Sequence, residues 1–216
     1  MIEVNHLTHG YDSQVVLDDV NLIIQPGEVV VLQGPSGSGK TTLIRLIAGL
    51  DFPKQGQILI DGKLASTSRW VLPPHSRGVG IVFQRSALWP HMTVAGNLRF
   101  VMNGLPVSEK NRRIDRLLRM AGIESLANRL PGQLSGGEAR RVALLRALAA
   151  MPKRLLLDEP LTNLDLELKT GMLELIREYQ KEHQPTQLYV THDLDEARRI
   201  GGRVMHLENG RLRGEA

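Results

Sequence analysis

Residues 29–41 read Val29-Val-Val-Leu-Gln-Gly34-Pro-Ser-Gly-Ser-Gly39-Lys40-Thr41, an apolar run that leads into a glycine-rich segment. Residues 34–41 fit the pattern G-x-x-x-x-G-K-[ST], in which glycines let successive backbone N–H groups converge on phosphate oxygens. The run at 29–32 predicts a buried strand, and residues 41–48 predict a helix whose positive dipole end faces the same phosphates. The sequence therefore predicts a strand, a phosphate-binding loop and a helix in succession.

Two side chains of this loop have a chemistry of their own. Lys40 supplies a cation for the terminal phosphates of a nucleotide, and the Thr41 hydroxyl is a ligand type that magnesium accepts. The candidate phosphate-binding residues are Gly34, Pro35, Ser36, Gly37, Ser38, Gly39, Lys40, Thr41 and Thr42. A glycine-rich turn without a ligand is the alternative, and the strand and helix on either side argue against it.

A pair of carboxylates follows another apolar run. Residues 155–157 are leucines, and Asp158 and Glu159 come directly after them. The carboxyl ends of buried strands are where α/β sheets bind ligands, and consecutive side chains of a strand point in opposite directions. We therefore assign Asp158 to the metal shell and Glu159 to polarising an attacking water. Without the phosphate loop, a polar strand exit would be the simpler interpretation.

The order of the remaining elements predicts an α/β fold. Strands are predicted at 15–17, 20–24, 29–32, 58–60, 79–83, 155–157, 188–190 and 204–207, and a further helix at 166–181. Asp61-Gly62 and Asn209-Gly210 favour tight reversals and therefore antiparallel hairpins. The runs at 29–32 and 155–157 lead into helices instead, which is typical of a parallel sheet. We expect a mainly parallel sheet core with an antiparallel β subdomain.

An arginine-rich helix is predicted near Ser108, which can act as its cap. It carries apolar residues at helical spacing and arginines elsewhere, namely Ile114, Leu117, Leu118 and Ala121, and Arg112, Arg113, Arg116 and Arg119. Nucleic acid is one partner that such arginines can bind. A solvated helix face is favoured, because no aromatic residues interleave for base stacking.

Composition limits the class of protein. The 216 residues suit one domain, and a formal net charge of +4 is too small for a dedicated nucleic-acid binder. The chain has no Cys, which excludes disulfides and Cys-based zinc sites. The amino terminus lacks a signal-peptide pattern and no run of about 18 apolar residues occurs, so we expect no membrane span.

Leu134-Ser-Gly-Gly-Glu138 lies between the phosphate loop and Asp158, and it resembles the signature of ATP-binding cassette (ABC) ATPases. Further motifs occur in the order known for that family. Residues 161–165 resemble its D-loop, and residues 191–193 resemble the segment with its switch histidine. Gln84 resembles the Q-loop glutamine, and Tyr11 lies where the family places an aromatic residue on adenine. The resemblance covers nearly the whole chain.

The resemblance implies a P-loop NTPase fold of ABC type, one domain over residues 1–216 with an inserted helical subdomain at about 85–150. It also implies ATP and Mg²⁺ as cofactors. In the family two chains pair head to tail, so the signature of one chain meets the ATP held by the other. The implied catalytic residues are Glu159, His192 and Gln84; the implied metal ligands are Thr41, Gln84 and Asp158; and the implied ATP contacts beyond the phosphate loop are Tyr11, Ser135, Gly136, Gly137 and Asp165.

Two single residues and one short segment, Gly201-Gly202-Arg203, depart from the family pattern. Glu138 stands where glutamine is usual in the signature, and Arg154 occupies the first of the positions that are normally apolar before Asp158. Neither change removes an implied ligand, so the nucleotide site is still expected to be complete.

The expected function is that of the peripheral ATPase subunit of an ABC transporter, with import as the preferred direction. Residues 85–94 resemble the segment of importer ATPases that docks a helix of the membrane subunit, and Trp89 and Met92 are residue types favoured at interface cores. The expected partners are a second ATPase subunit, identical or different, integral membrane permease subunits and a substrate-binding protein, and no nucleic acid. The expected location is cytoplasmic, on the inner face of the cell membrane.

Two alternative functions stay open. A non-transport ABC ATPase that acts on ribosomes or DNA usually carries two cassettes or a coiled-coil insertion, and this sequence shows neither. The ATPase of an exporter or of a lipid-extraction complex has the same catalytic motifs as an importer ATPase. The transported substrate is selected in the membrane subunit, so this sequence does not specify it.

Overall fold

The computed structural model describes residues 1–84, 86–162 and 164–214. The strands in chain order are β1 (Ile2–Tyr11), β2 (Gln14–Ile24), β3 (Val29–Gln33), β4 (Gln55–Ile60), β5 (Lys63–Thr67), β6 (Val79–Val82), β7 (Arg154–Asp158), β8 (Thr186–Val190), β9 (Arg203–Glu208) and β10 (Arg211–Gly214). The helices are α1 (Lys40–Ala48), α2 (Val94–Phe100), α3 (Val107–Met120), α4 (Gly136–Ala149), α5 (Leu166–His183) and α6 (Leu194–Ile200).

The chain divides into two units. Unit 1 contains Met1–Ile81, Lys153–Glu159 and the chain from Gln184 on, and unit 2 contains Val82–Pro152 and Pro160–His183. Unit 1 therefore carries the strands, apart from the final residue of β6, together with α1 and α6. Unit 2 carries α2, α3, α4 and α5.

The first sheet of unit 1 is antiparallel, with the strand order β2-β1-β4-β5. Ile2, Val4 and Leu7 of β1 are buried, and the shift of the alternation after Val4 coincides with a bulge in the pairing with β2. Asp61 and Gly62 both have positive φ, 50° and 72°, as a type I′ hairpin turn requires. The hairpin predicted at this dipeptide is confirmed.

The second sheet has the strand order β10-β9-β3-β8-β7-β6. β3 runs parallel to β8 and β9, and β7 runs parallel to β8. Every residue of β7 and β8 is buried, which explains why 155–157 is a continuous apolar run. Asn209 and Gly210, with φ of 48° and 74°, close the antiparallel β9–β10 hairpin. The predicted combination of a parallel sheet core with an antiparallel sheet is confirmed.

The register brings the carboxyl ends of β3, β7 and β8 to the same edge of the sheet. Leu32 and Asp158 both pair with Val190, one from each side. The Thr191 N–H donates to the Leu32 carbonyl at 3.2 Å, and the Glu159 N–H donates to the Val190 carbonyl at 3.0 Å. The residues that follow these strands therefore begin beside one another, at the edge where parallel sheets bind ligands.

A hydrophobic core fixes α1 in unit 1. Its buried members include Leu7 and Leu17 from the antiparallel sheet, Val30 from β3, and Leu43 and Ile47 from α1. Because α1 buries Leu43 and Ile47 in this core, the loop that precedes α1 is held at both ends, by β3 and by the helix. That anchoring is what a preformed phosphate cradle needs.

In unit 2, α2 packs against α3 and α4, and α3 packs against α4. Of the predicted apolar face of α3, Ile114, Leu117 and Leu118 are buried, whereas Ala121 is the half-buried C-cap that follows the helix. No helix within the described ranges combines the length and the hydrophobicity that crossing a bilayer requires.

The expected Ser108 cap is wrong. α3 begins at Val107 with Pro106 at the N-cap position, and the Pro106 carbonyl accepts from the Glu109 N–H at 3.1 Å. Proline is already close to helical φ, so it can lead directly into the first turn. Ser108 therefore lies inside the helix.

Two strand predictions also need correction. Residues 15–17 and 20–24 belong to one strand, β2, whose polar interior residue Asp19 adopts a positive φ of 50°. β6 ends at Val82, so it is one residue shorter than the strand predicted at 79–83. The β1 strand and the short helices α2 and α6 were not predicted, because none has a long periodic pattern.

Candidate functional site

The loop between β3 and α1 has the backbone of a phosphate cradle. Gly34, Gly37 and Gly39 have φ of 150°, 80° and 105°, values that residues with a side chain rarely adopt. A Cβ atom on Gly34 would collide with the carbonyl oxygen of Leu207. Gly39 is the N-cap of α1 and has no side chain with which to cap it, so the first N–H groups of α1 are left for an anion.

Lys40 is buried beneath this loop. Its Nζ donates to the carbonyl oxygens of Gly34 and Pro35, at 2.8 Å each, and 6% of the residue is exposed. Burial lowers the pKa of Lys40, while the charges of Glu159 and Asp158 act to raise it. The ammonium group therefore bonds to the start of its own loop. It is the group expected to bind the terminal phosphates.

Asp158 is the last residue of β7 and is 2% exposed. Burial raises the pKa of its carboxyl group, and a hydrogen bond from the Thr41 side chain acts in the opposite direction. The structure thus brings together Thr41 and Asp158, two of the three residues expected as metal ligands. A carboxylate and a hydroxyl are both hard oxygen donors, the kind that Mg²⁺ selects.

Glu159 and His192 meet at the same edge of the sheet. Oε1 of Glu159 lies 3.2 Å from Nδ1 of His192, and the two side chains are 18% and 61% exposed. Glu159 has a φ of 47°, a left-handed conformation that costs a residue with a side chain about 1–3 kcal/mol and that is often found at functional sites. The left-handed turn separates Glu159 from the extended backbone of β7, which carries Asp158 into the core.

A buried network supports the segment that carries His192. The Glu196 carboxylate accepts from the Tyr189 hydroxyl at 2.9 Å and from the Thr191 hydroxyl at 2.8 Å, and Glu196 is 3% exposed. Burial, followed by the charge of Glu196, raises the pKa of Tyr189 well above its usual range. Asp193 caps α6 through its Oδ1, which accepts from the Glu196 N–H at 3.1 Å.

Glu196 is not among the residues that the sequence singled out. A usable signal was present, because Asp193-x-x-Glu196 has the spacing of a capping box. The structure uses that spacing differently, since the Glu196 carboxylate turns to the hydroxyls of Tyr189 and Thr191.

Arg77 is a second supporting residue that the sequence did not single out. It is 2% exposed, and its guanidinium donates to the carbonyls of Ile47 at 2.8 Å and Leu72 at 2.7 Å and to the Ser66 hydroxyl at 2.6 Å. Burial lowers the pKa of Arg77 to about 10. By satisfying carbonyls at the end of α1, Arg77 fixes the helix whose other end forms the phosphate cradle.

Tyr11, the predicted adenine contact, ends β1 and is 49% exposed. Its ring packs edge-on against His9, with centroids 5.1 Å apart. Its hydroxyl donates to Asp51 at 3.4 Å, and Asp51 also accepts from Nε of Arg45 in α1 at 2.7 Å. The ring is therefore held at one edge and leaves aromatic surface exposed in unit 1.

The signature residues begin α4 in unit 2. Ser135 is the N-cap, and its hydroxyl accepts from the Glu138 N–H at 3.2 Å while the Glu138 carboxylate accepts from the Ser135 N–H at 2.7 Å. Ser135 and Gly136 are exposed, and a Cβ atom on Gly136 would meet open space. Glu138, the departure from the family pattern, thus completes a capping box and leaves the glycine backbone accessible.

The other predicted residues of unit 2 are Gln84 and Asp165. Gln84 is exposed, and its backbone carbonyl accepts from Nη2 of Arg140 at 2.9 Å. Oδ1 of Asp165 accepts from the Leu168 N–H at 2.9 Å and so caps α5. Arg85 and Asn163, which belong to the predicted docking and D-loop segments, lie outside the described residues.

Trp89 is half-buried in unit 2. Its ring lies 4.6 Å from the ring of Phe100, and the guanidinium carbon of Arg146 lies 4.6 Å from its centroid. The backbone beside it is fixed by Asn97, whose Oδ1 accepts from the Trp89 N–H at 2.9 Å. Trp89 therefore has an aromatic neighbour and a cation over the face of its ring.

Residues 17–162 match the family model described as ABC transporter. The chain belongs to the ABC transporter family. The match includes the phosphate loop, the signature at Ser135 and the carboxylates Asp158 and Glu159.

Relatives within the ABC transporter family differ in what their names say they import. The chain is 43% identical over 213 residues to the Fe(3+) ions import ATP-binding protein FbpC 1 of Pectobacterium atrosepticum, with 98% of this chain and 59% of that protein covered. It is 44% identical over 215 residues to the spermidine/putrescine import ATP-binding protein PotA of Mesorhizobium japonicum, with 98% and 58% covered. The chain thus spans under two thirds of the length of these relatives.

A solved ABC cassette has the same fold over the whole chain. The dimeric post-hydrolysis structure of the ATP-binding cassette MJ0796 bound to ADP and Pi superposes with a TM-score of 0.87 at 34% identity, covering 100% of this chain and 98% of that one. The expected ABC-type P-loop fold is therefore confirmed.

Proposed function

We propose that this chain binds ATP with Mg²⁺ and hydrolyses it as the ATPase subunit of an importer. The observation that carries the proposal is the Glu159–His192 contact of 3.2 Å, at the same sheet edge as the phosphate loop and the Thr41–Asp158 pair. A phosphate cradle, two metal-type oxygen donors and a carboxylate near an imidazole are the parts that hydrolysis of a phosphoanhydride requires.

The phosphate loop is proposed to hold the nucleotide by charge and backbone. Lys40 and the first N–H groups of α1 would neutralise the terminal phosphates. Tyr11, with 49% of its surface exposed, would stack on the adenine.

The donor set fits Mg²⁺. This ion usually takes one or two protein oxygens beside substrate phosphates and water, and Asp158 with Thr41 offers a carboxylate and a hydroxyl in contact. When bound, the metal neutralises charge on the transferred phosphoryl group. Gln84 as a further metal ligand rests on the family resemblance alone.

Glu159 is proposed as the general base. It would accept the proton of the attacking water, and its contact with His192 Nδ1 would keep one carboxylate oxygen turned toward the reaction site. His192, which is 61% exposed, would itself contact the terminal phosphate.

The dimeric state is part of the proposal. Ser135 and Gly136 are exposed at the start of α4, so they can present a helix N-terminus to the phosphate bound by a second chain. Gly137 and Asp165 would act at the same interface. MJ0796, a homologous cassette, is described as dimeric.

Import is the transport direction named for the relatives, and it supports an importer here. We propose permease subunits and a substrate-binding protein as partners, and a position at the cytoplasmic face of the cell membrane. The ATPases named for Fe(3+) import and for spermidine/putrescine import resemble this chain about equally, as expected if the membrane subunit selects the substrate.

The purified chain tests the proposal directly. Phosphate release from ATP is measured with Mg²⁺ and with excess chelator, and Mg²⁺-dependent release is expected. Lys40→Ala should abolish tight ATP binding, whereas Lys63→Ala, which removes an exposed cation of the antiparallel sheet, should not. Equal nucleotide affinity in the two variants would contradict the assignment of the phosphate loop.

A further inference from the structure

Unit 2 contains a cavity of about 240 Å³ between α3, the end of α4 and α5. Its apolar wall is formed by Leu117, Leu148 and Leu175, which are buried. Met120 and Met151 also line it and are 37% and 43% exposed. Methionine adapts its shape to different ligands, so the mouth of the cavity can accommodate an incoming molecule.

One polar group of this cavity has no partner among the described residues. Tyr179 is 6% exposed, and its hydroxyl makes no hydrogen bond there. Burial raises the pKa of Tyr179 to about 12, so the hydroxyl carries its proton at neutral pH. Buried hydroxyl groups are nearly always hydrogen-bonded in folded proteins, and a donor that lines a cavity indicates that its acceptor comes from outside the chain.

The charges around the cavity favour an anion. Arg113, Arg116 and Glu182 line it together with His183. Arg116 is engaged with the Glu182 carboxylate, at 3.2 and 2.7 Å, whereas Arg113 makes longer contacts of 3.4 Å to the Ala149 carbonyl and 3.3 Å to Glu109. The charges of Arg113 and Glu182 act on the Tyr179 hydroxyl in opposite directions, and Glu182 is already paired with Arg116. Arg113 is therefore the cation that lies close enough to Tyr179 to share a ligand with its hydroxyl.

The volume limits the size of the ligand. A cavity of 150 Å³ lined by apolar side chains holds benzene, so about 240 Å³ holds roughly ten non-hydrogen atoms. A ligand of that size has room for an aromatic ring or a branched chain and one polar group.

We propose that this cavity is a binding site for a small amphipathic carboxylate, whose apolar body lies against Leu117, Leu148 and Leu175 while its carboxylate accepts from the Tyr179 hydroxyl and from Arg113. The site lies within unit 2 and shares no residue with the nucleotide site. The proposal for this site can therefore be tested independently of ATP hydrolysis.

The test uses 3-phenylpropanoate as the probe on the full chain with ¹³C-methyl-labelled methionine. Saturable shifts of the Met120 and Met151 methyl signals are expected. The matched alcohol 3-phenylpropan-1-ol and the matched amine 3-phenylpropylamine should bind at least about tenfold more weakly, because hydrogen bonds to a charged acceptor are the stronger ones. Shifts that are confined to other methionines, or that do not saturate, would overturn the proposal.

Two variants locate the contacts. Tyr179→Phe removes the hydroxyl and keeps the ring, so the affinity for 3-phenylpropanoate should fall about tenfold while thermal unfolding is unchanged. Arg113→Gln should weaken binding as well, and Arg112→Gln, which removes an exposed charge of the same helix, should not. Unchanged affinity in Tyr179→Phe, or equal affinity for the carboxylate and the alcohol, would show an apolar cavity without the proposed specificity.

Discussion

Nδ1 of His192 lies 3.2 Å from Oε1 of Glu159, although the two residues come from different strand ends. Their proximity follows from the register, in which Asp158 at the end of β7 pairs with Val190 at the end of β8. The backbone then reinforces it, because the Glu159 N–H donates to the Val190 carbonyl at 3.0 Å. The imidazole is thus placed against a carboxylate by the sheet itself, rather than by a flexible loop.

Glu159→Gln should slow ATP hydrolysis by roughly 10² to 10⁴, because an amide cannot accept the proton of the attacking water. ATP affinity should be retained, since Lys40 and the loop backbone are unchanged. Phosphate release is followed in single-turnover assays, and nucleotide affinity is measured in parallel. The variant should also accumulate as a dimer with ATP in size-exclusion chromatography, whereas rapid turnover without a dimer would contradict both the base and the head-to-tail arrangement.

Glu196→Ala should destabilise the protein, because it leaves the buried hydroxyls of Tyr189 and Thr191 without their acceptor. The cost of a buried unsatisfied group is about 1–3 kcal/mol, measurable by chemical denaturation. We further expect a lower hydrolysis rate with ATP affinity retained, since Thr191 adjoins His192.

Glu167→Ala removes an exposed carboxylate in the first turn of α5 and serves as the control for Glu196. Tyr189→Phe should recover part of the stability lost in Glu196→Ala, because it deletes one of the two stranded hydroxyls. If the double variant is no more stable than Glu196→Ala, the network does not act as described.

Arg154 is a charged residue in the buried strand β7, and its contacts account for its burial. It is 4% exposed, it forms an ion pair with Asp61, and its Nη1 donates to the Arg77 carbonyl at 3.0 Å. The hydrogen bond from Arg154, followed by one from the amino terminus, lowers the pKa of Asp61 to about 2.

Asp61→Asn should therefore reduce stability in a pH-dependent manner. The folded-state pKa of Asp61 lies below the usual value near 3.9, so its ionised form stabilises the fold above that value, and the contribution is lost as pH falls from about 4 to about 2. Asparagine tolerates the positive φ at this turn, so the hairpin should persist. Urea unfolding should show that the free energy of unfolding of the two proteins differs by a constant amount above a pH of about 5. This difference in free energy should shrink below a pH of about 4. A difference that does not change with pH would exclude the ion pair as its cause.

Local chemistry made much of this fold predictable. The phosphate loop and the Asp61-Gly62 and Asn209-Gly210 hairpins depend on residues that are adjacent in sequence, and the structure has them where expected. The Ser108 cap failed because Pro106 provides a competing helix start.

Residues that depend on distant partners could not be predicted. Arg154 contradicts the apolar pattern of its strand, and only its pairing with Asp61 explains its burial. The carboxylate of Glu196 is likewise stabilised in its buried position by the hydroxyls of Tyr189 and Thr191. The positions of these hydroxyls depend on β8 and on the turn after it. The capping role of Ser135 was predictable from its spacing to Glu138, whereas its proposed role at a second chain depends on the family resemblance.

Trp89 provides the test of the transporter role. The ring is tilted against the ring of Phe100 and has the Arg146 guanidinium over its face, and Phe100 is itself 55% exposed. This arrangement gives a partly exposed aromatic patch with a cation beside it, a composition that is common at the centres of protein interfaces.

Trp89→Ala should weaken association with a permease by about 2 kcal/mol or more, as expected for a central aromatic anchor, while the basal ATPase rate of the isolated chain stays near that of wild type. Trp70→Ala, which removes a 47% exposed tryptophan from unit 1, is the matched control and should bind normally. Because the ring also packs against Phe100 and Arg146, thermal unfolding must be measured beside binding. A loss of stability as large as the loss of affinity would assign Trp89 to the core of unit 2.

The decisive experiment is a pull-down from detergent-solubilised membranes with each variant, followed by identification of the co-purifying chains. Recovery of an integral membrane protein that depends on Trp89 is expected, whereas recovery of ribosomal or DNA-bound partners alone would contradict the importer assignment.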